Sequence, residues 1–158
     1  MAEKTRVLIL FGSDSDRAVM EEAANVLEGF GVVSRMETAS AHRSPDRVRD
    51  LVRGAPAQGV QVFIAGAGMA SHLAGAVAAH TTLPVIGVPL GGSALGGADS
   101  LYSTVQMPAG VPVATVAIGS AGAKNAAVLA VQILALSDRG LALKLEDLKE
   151  RLARGERL

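Results

Sequence analysis

The chain of 158 residues contains no cysteine and no tryptophan, with only one tyrosine and three phenylalanines. Without cysteine it has no disulfide, no thiolate nucleophile and no thiolate metal site. The scarcity of aromatic rings also disfavours a flavin carrier, because a flavin ring needs aromatic side chains on which to stack. These absences exclude disulfide-stapled domains and thiol-dependent enzymes.

Net charge is absent as well, since 15 basic residues balance 15 acidic ones. Bulk electrostatics therefore gives no indication of a nucleic-acid partner or an anionic membrane. No apolar run approaches the roughly 20 residues of a membrane-spanning helix, so we expect no membrane span. The segment 1–5 leads straight into a predicted strand without the pattern of a signal peptide. A cytoplasmic protein is the expectation.

Short apolar runs alternating with helical patterns predict an α/β fold. The run 6–11 is continuously apolar, as expected of a strand that is buried on both faces of a parallel sheet. Four more strand-like runs follow, at 32–38, 60–65, 83–89 and 113–117. The length suits one domain with a substantial core. We predict a single domain over 1–158 with a doubly wound parallel sheet.

The tail of the chain has a different character. Four leucines recur at 4-3-4 spacing among charged residues: Leu141, Leu145, Leu148 and Leu152. This spacing predicts a C-terminal helix over 139–158 with one narrow apolar seam. We expect the seam to lie at a subunit interface, although packing on the chain's own surface would satisfy it equally.

Polar and glycine-rich segments follow the predicted strands, where open parallel sheets bind their ligands. The segment Gly12–Asp16 has neither the spacing of a dinucleotide fingerprint nor the lysine of a P-loop, so neither NAD nor ATP is indicated. The segment Ser40–Pro45 reads Ser-Ala-His-Arg-Ser-Pro, and Gly66–Gly75 is rich in glycine and alanine. A further glycine-rich loop, 90–98, is long enough to cover a pocket.

The segment Ser40–Pro45 places several reactive groups at a predicted helix start. Ser44 is a suitable N-cap, and Pro45 suits the first helical turn. An imidazole titrates near working pH, which makes His42 the physical candidate for a general acid/base. Arg43 adds a guanidinium group, and the unpaired amides of a helix start favour an anion. Taken alone, such a segment is more often a capped helix start with solvated side chains.

Taken together, these segments closely resemble the 5-(carboxyamino)imidazole ribonucleotide mutase family of purine biosynthesis. The resemblance extends from Val7 to about Leu136 and includes further motifs in the same order: Pro84–Pro89, Asp99–Ser103, Gln106–Pro108, Ala117–Gly119 and Lys124–Ala126. It implies a flavodoxin-like three-layer αβα sandwich with a central parallel sheet. It also implies a homo-octamer with sites at subunit junctions.

The resemblance implies a role for each matching residue. His42 would be the general acid/base. Six residues would bind the nucleotide substrate: Ser13, Asp16, Ser40, Arg43, Gly68 and His72. It implies neither a cofactor nor a metal. The chain departs from the family pattern at Met69, where a small residue is usual, and at Ser71, where alanine is common.

Three functions remain open from the sequence. The first is the mutase, which moves a carboxylate from an exocyclic nitrogen to a ring carbon of aminoimidazole ribonucleotide. The second is an aminoimidazole ribonucleotide carboxylase that uses free carbon dioxide. The third is a non-catalytic nucleotide-binding module, which the fold alone would not exclude. His42 beside Arg43 argues against the third, because a pure binder needs no group that transfers protons.

Overall fold

A computed structural model describes residues 4–158. Residues 1–3 belong to the segment that we expect to carry no signal peptide, and they lie outside the described residues. Five parallel strands form one sheet in the order β2-β1-β3-β4-β5. The strands are β1 (Val7–Phe11), β2 (Ser34–Thr38), β3 (Val62–Ala67), β4 (Val85–Pro89) and β5 (Ala114–Thr115). This confirms the predicted α/β fold with a parallel sheet.

Helices cover both faces of the sheet and complete the three-layer sandwich. They are α1 (Arg17–Gly29), α2 (Pro45–Gly54), α3 (Leu73–Ala78), α4 (Ala98–Val105), α5 (Ser120–Ala135) and α6 (Arg139–Ala153). Short 3-10 turns lie at Asp14–Asp16 and Pro56–Gln58. Among residues 4–158, no helix combines the length and the apolar character needed to cross a bilayer.

The alternation of side chains along β1 builds two separate cores. Val7, Ile9 and Phe11 belong to the core beneath α1, α5 and α6. Leu8 and Leu10 point to the opposite face and join the core beneath α2 and α3. All five side chains are fully buried. The continuous apolar run is therefore explained by burial on both faces of a central strand.

Four of the five strands are shorter than the sequence predicts, the two edge strands among them. The predicted strand 32–38 begins only at Ser34, because the N–H of Val32 bonds to the carbonyl of Leu27 and so closes the end of α1. At the other edge, β5 pairs with β4 only through Ala114 and Thr115, where 113–117 was expected. At both β2 and β5, the apolar residues continue beyond the residues that pair with the neighbouring strand.

The seam of α6 packs on the chain itself. Leu141 and Leu148 are buried in the same core as α1 and α5. The carboxylate of Asp138 caps the helix by accepting the N–H of Leu141 at 3.2 Å. A contact between α6 and a second subunit stays a prediction.

Candidate active site

A cavity of about 760 Å³ lies at the carboxyl ends of β1, β2 and β3. Because β1 pairs with both β2 and β3, the loops that follow these three strands are neighbours. All seven residues singled out in the sequence line this cavity: Ser13, Asp16, Ser40, His42, Arg43, Gly68 and His72. Gly91 and Gly92, from the predicted covering loop, line it as well.

The loop after β1 carries hydroxyls and one partly buried carboxylate. The hydroxyl of Ser13 accepts hydrogen bonds from the N–H and the hydroxyl of Ser15, at 3.4 and 3.0 Å, and so caps the 3-10 turn. Burial raises the pKa of Asp16 above its ordinary value, and a backbone hydrogen bond at Ser13 opposes this shift. Loss of hydration makes this carboxylate a strong acceptor for a ligand hydroxyl.

The loop after β2 is a tight turn held by its two serines. The N–H of Arg43 donates to the hydroxyl of Ser40 at 3.1 Å, and the hydroxyl of Ser44 donates to the carbonyl of Ser40, also at 3.1 Å. Ser44 occupies the predicted capping position, but its side chain makes no bond to the amides of α2. The prediction of a side-chain cap was therefore wrong, because the hydroxyl of Ser44 closes the turn instead.

Arg43 links the second loop to the first. Its Nη2 donates to the carbonyl of Gly12 at 3.0 Å, across from β2 to the end of β1. This bond occupies one of several guanidinium donors, and the others can bind an anion. The contact places a cation beside the hydroxyls of Ser13 and Ser15, an arrangement suited to a phosphate.

The loop after β3 turns sharply at Met69. Its φ of +53° makes it the only non-glycine residue with positive φ within the described part of the chain. The side chain is 67% exposed and lines the mouth of the cavity. A residue with a Cβ costs roughly 1–2 kcal/mol in this left-handed region. Only glycine at this position would avoid that cost.

Helix α4 holds this third loop from behind. The N–H of Ser71 donates to the hydroxyl of Ser103 at 2.9 Å, and the hydroxyls of Ser71 and Thr104 bond at 3.0 Å. Ser71 and Thr104 are both almost fully buried. No periodicity relates Ser103 and Thr104 to this loop. The motif Asp99–Ser103 includes Ser103 but ends before Thr104, so no signal in the sequence indicated Thr104.

Two histidines meet across the cavity. Nε2 of His42, in the second loop, lies 2.7 Å from Nδ1 of His72, which immediately precedes α3. The ring centroids are 4.6 Å apart and the planes cross at 78°. One proton between the two nitrogens makes a hydrogen bond, which joins the loops of β2 and β3. The cavity therefore combines an imidazole pair, a guanidinium group, hydroxyls and a carboxylate.

Known proteins match the chain over nearly its whole length. The family model described as AIR carboxylase matches residues 6–155. The N5-carboxyaminoimidazole ribonucleotide mutase of Thermotoga maritima is 53% identical over 149 residues, which are 94% of this chain and 86% of that protein. The mutase of the same name from Escherichia coli K12 is 54% identical over 142 residues, covering 90% and 84%. The crystal structure of Treponema denticola PurE is 31% identical, with a TM-score of 0.85 and coverage of 94% and 92%.

Proposed function

The chain belongs to the AIR carboxylase family, and from that membership we propose that it is an N5-carboxyaminoimidazole ribonucleotide mutase of purine biosynthesis. The Thermotoga maritima and Escherichia coli proteins, each more than half identical to this chain over the aligned residues, are mutases of that name. The product has the carboxylate on the ring carbon instead of on the exocyclic nitrogen.

One observation carries the proposal for the site. The three loops that resemble the family's motifs converge on a single cavity, where His42 and Arg43 stand together. A pure binding module would use the arginine and the hydroxyls but has no need of a group that transfers protons. Fold alone would not make this distinction.

The charges suggest how the nucleotide is oriented. Arg43 and the hydroxyl of Ser13 hold the phosphate, since a guanidinium forms short charge-assisted bonds with phosphate oxygens. The carboxylate of Asp16 accepts a hydrogen bond from a ribose hydroxyl, because that bond replaces part of the hydration that burial removes. Ser40 and the backbone at Gly68 form the cavity wall. Binding the phosphate at a distance fixes the position of the reacting ring.

His42 then serves as both acid and base. The carbamate carbon–nitrogen bond breaks, its electron pair stays on the exocyclic nitrogen, and that nitrogen takes a proton from His42. The electron-rich ring carbon attacks the released carbon dioxide, and the proton on that carbon returns to His42. The ring itself supplies the electrons, so this scheme needs no cofactor and no metal. It does require that carbon dioxide be retained and water excluded.

We also propose that the chain acts as a single mutase domain assembled into a homo-octamer, with α6 near a subunit interface. Large apolar side chains at the surface support assembly: Leu95 and Tyr102 are each 67% exposed, and Leu136 is 89% exposed. A cytoplasmic location fits a substrate whose phosphate and carboxylate cross a bilayer poorly. Light scattering on the purified chain measures the assembly directly, and a monomer or dimer would contradict the octamer.

A rate measurement tests the function. The purified chain is given N5-carboxyaminoimidazole ribonucleotide in bicarbonate-depleted buffer without ATP, and the carbon-carboxylated isomer is followed by its ultraviolet absorbance. We expect rapid product formation. Product only from aminoimidazole ribonucleotide with high carbon dioxide would make the chain the carboxylase instead. Nucleotide binding without product under either condition would make it a binding module.

A further inference from the structure

One nitrogen of His72 faces two different atoms. Its Nδ1 lies 2.7 Å from Nε2 of His42 and 3.2 Å from the carbonyl oxygen of Ala70. A carbonyl oxygen only accepts hydrogen bonds, whereas an imidazole nitrogen either donates or accepts. The tautomer is therefore assigned from the network. Only a proton on Nδ1 satisfies both neighbours.

The carbonyl of Ala70 is held firmly in that direction. It accepts the backbone N–H of His72 at 2.9 Å, whatever the tautomer of the ring. The same planar peptide group carries the N–H of Ser71, which donates to Ser103 on α4 at 2.9 Å. Ser103 in turn donates to the carbonyl of Asp99 at 2.8 Å. Helix α4 thus pins one side of the peptide, so that its oxygen points at the ring.

We propose that the Ala70 carbonyl fixes His72 as its Nδ1–H tautomer, and that His72 thereby keeps Nε2 of neutral His42 unprotonated, which is the form that His42 has between its two proton transfers. His72 is then a positioning residue for the base, in addition to lining the cavity. The inference about the tautomer depends on geometry alone. Its consequence for turnover rests on the proposed function.

The same arrangement dictates what happens when His42 carries a proton on Nε2. Two N–H groups would then face each other across 2.7 Å, which neither ring tolerates. The protonated ring of His42 must turn away from His72 and into the cavity. Contact with His72 thus marks the proton-accepting form, and separation marks the form that delivers a proton to the substrate.

Nitrogen NMR on the histidine-labelled, ligand-free protein reads the tautomers directly. The chain has three histidines, so single substitutions assign each signal. At about pH 8.5, where ordinary imidazoles are neutral, we expect His72 to be protonated at Nδ1 and His42 to be unprotonated at Nε2. A His72 ring protonated at Nε2 would overturn the proposal, whether or not the protein turns over substrate.

Two substitutions of His72 separate positioning from substrate binding. Asparagine can place an amide N–H near the position of Nδ1, whereas alanine removes the donor. We expect kcat to fall about tenfold in His72→Ala, with KM within about twofold of wild type, and to recover largely in His72→Asn. A higher KM at unchanged kcat, with the His42 signal unmoved in His72→Ala, would make His72 a substrate-binding residue only.

The support from α4 is tested separately. In Ser103→Ala the N–H of Ser71 loses its hydrogen-bond acceptor, so the Ala70–Ser71 peptide is held less firmly. We therefore expect the His72 signals to show a mixture of tautomers. We expect kcat to fall about threefold, much less than the loss of a general base would cause. Ser137→Ala is the matched control, because that hydroxyl bonds only weakly to Leu134 at 3.5 Å, away from the cavity. A His72 tautomer unchanged in Ser103→Ala, with circular dichroism showing a folded protein, would remove α4 from the proposal.

No turnover by wild type, with the expected NMR signals intact, would refute the proposed function and leave the tautomer in place.

Discussion

Two cavities of nearly equal volume lie at opposite ends of the sheet. The one that contains the histidine pair measures about 760 Å³, and one at the amino ends of the strands measures about 740 Å³. In the second, Arg6 bonds to Asp138 at 2.8 Å and to Gln61 at 2.9 Å, and Lys144 donates to the carbonyl of Phe30 at 2.6 Å. We call these the carboxyl-end cavity and the amino-end cavity.

The difference lies in what the polar groups do for the fold. In the amino-end cavity, the bond between Arg6 and Asp138 joins residues 132 positions apart and ties the start of β1 to the cap of α6. In the carboxyl-end cavity, the polar groups lie on loops and bond either within their own loop or to a neighbouring loop. Cavity volume therefore does not distinguish a binding site from a cavity whose polar groups stabilise the fold. The two are distinguished by what their hydrogen-bonding groups bind.

The sharpest contrast comes from His42→Asn in the carboxyl-end cavity. We expect kcat to fall about a thousandfold or more, because the group that transfers protons is lost. Nucleotide binding, measured by calorimetry, should survive because Arg43 and Asp16 remain. A rate near that of wild type would contradict the acid/base role.

The same substitution at the two arginines separates binding from stability. We expect Arg43→Met to raise KM about tenfold to a hundredfold, the range for losing a hydrogen bond to a charged group, with little change in Tm. Arg6→Met should instead lower Tm by a few degrees and leave KM unchanged. Steady-state kinetics and thermal melts on both variants check this. The opposite pattern would reverse the assignment of the two cavities.

Asp16→Asn should weaken binding and stabilise the fold together. Loss of the charged acceptor is expected to reduce nucleotide affinity about tenfold. Because burial raises the pKa of Asp16, the folded state disfavours its charged form, and that cost to stability is complete at pH above the raised pKa and vanishes below the ordinary pKa. We expect the variant to melt above wild type at neutral pH and the gap to close below about pH 4. A variant that melts below wild type at neutral pH would contradict this.

The smallest effect is expected at Asp138. Hydrogen bonds from Arg6 and then from the N–H of Leu141 hold the pKa of this carboxyl below its ordinary value. Its contribution to stability is therefore present above about pH 4 and is lost as pH falls through the lowered value. Asparagine caps a helix almost as well, so Asp138→Asn isolates the charge. Thermal melts should show wild type slightly more stable at neutral pH and equal to the variant in strong acid. A gap independent of pH would contradict the shift.

The sequence predicted the alternation of strands and helices along the chain and the residues that line the carboxyl-end cavity. The apolar run of β1 and the polar segments after β1, β2 and β3 carry that information locally. It could not predict the contact of His42 with His72, 30 residues apart, since that depends on which strands are neighbours and how deep each loop turns. The bond from the N–H of Ser71 to the hydroxyl of Ser103 could not be predicted for the same reason. The prediction for Ser44 was wrong because its hydroxyl bonds to the carbonyl of Ser40 instead of to the amides of α2, and the sequence does not show which partner is preferred.

The central place of β1 has a consequence for how the protein forms. The residues of the carboxyl-end cavity come from the ends of three strands, and β1 must pair with β2 and with β3 before those ends are side by side. Such parallel pairings join distant parts of the chain and are slow to assemble. In a refolding experiment, activity therefore cannot return before β1 has paired with both β2 and β3. Helical signal can return earlier, from segments that need no distant partner.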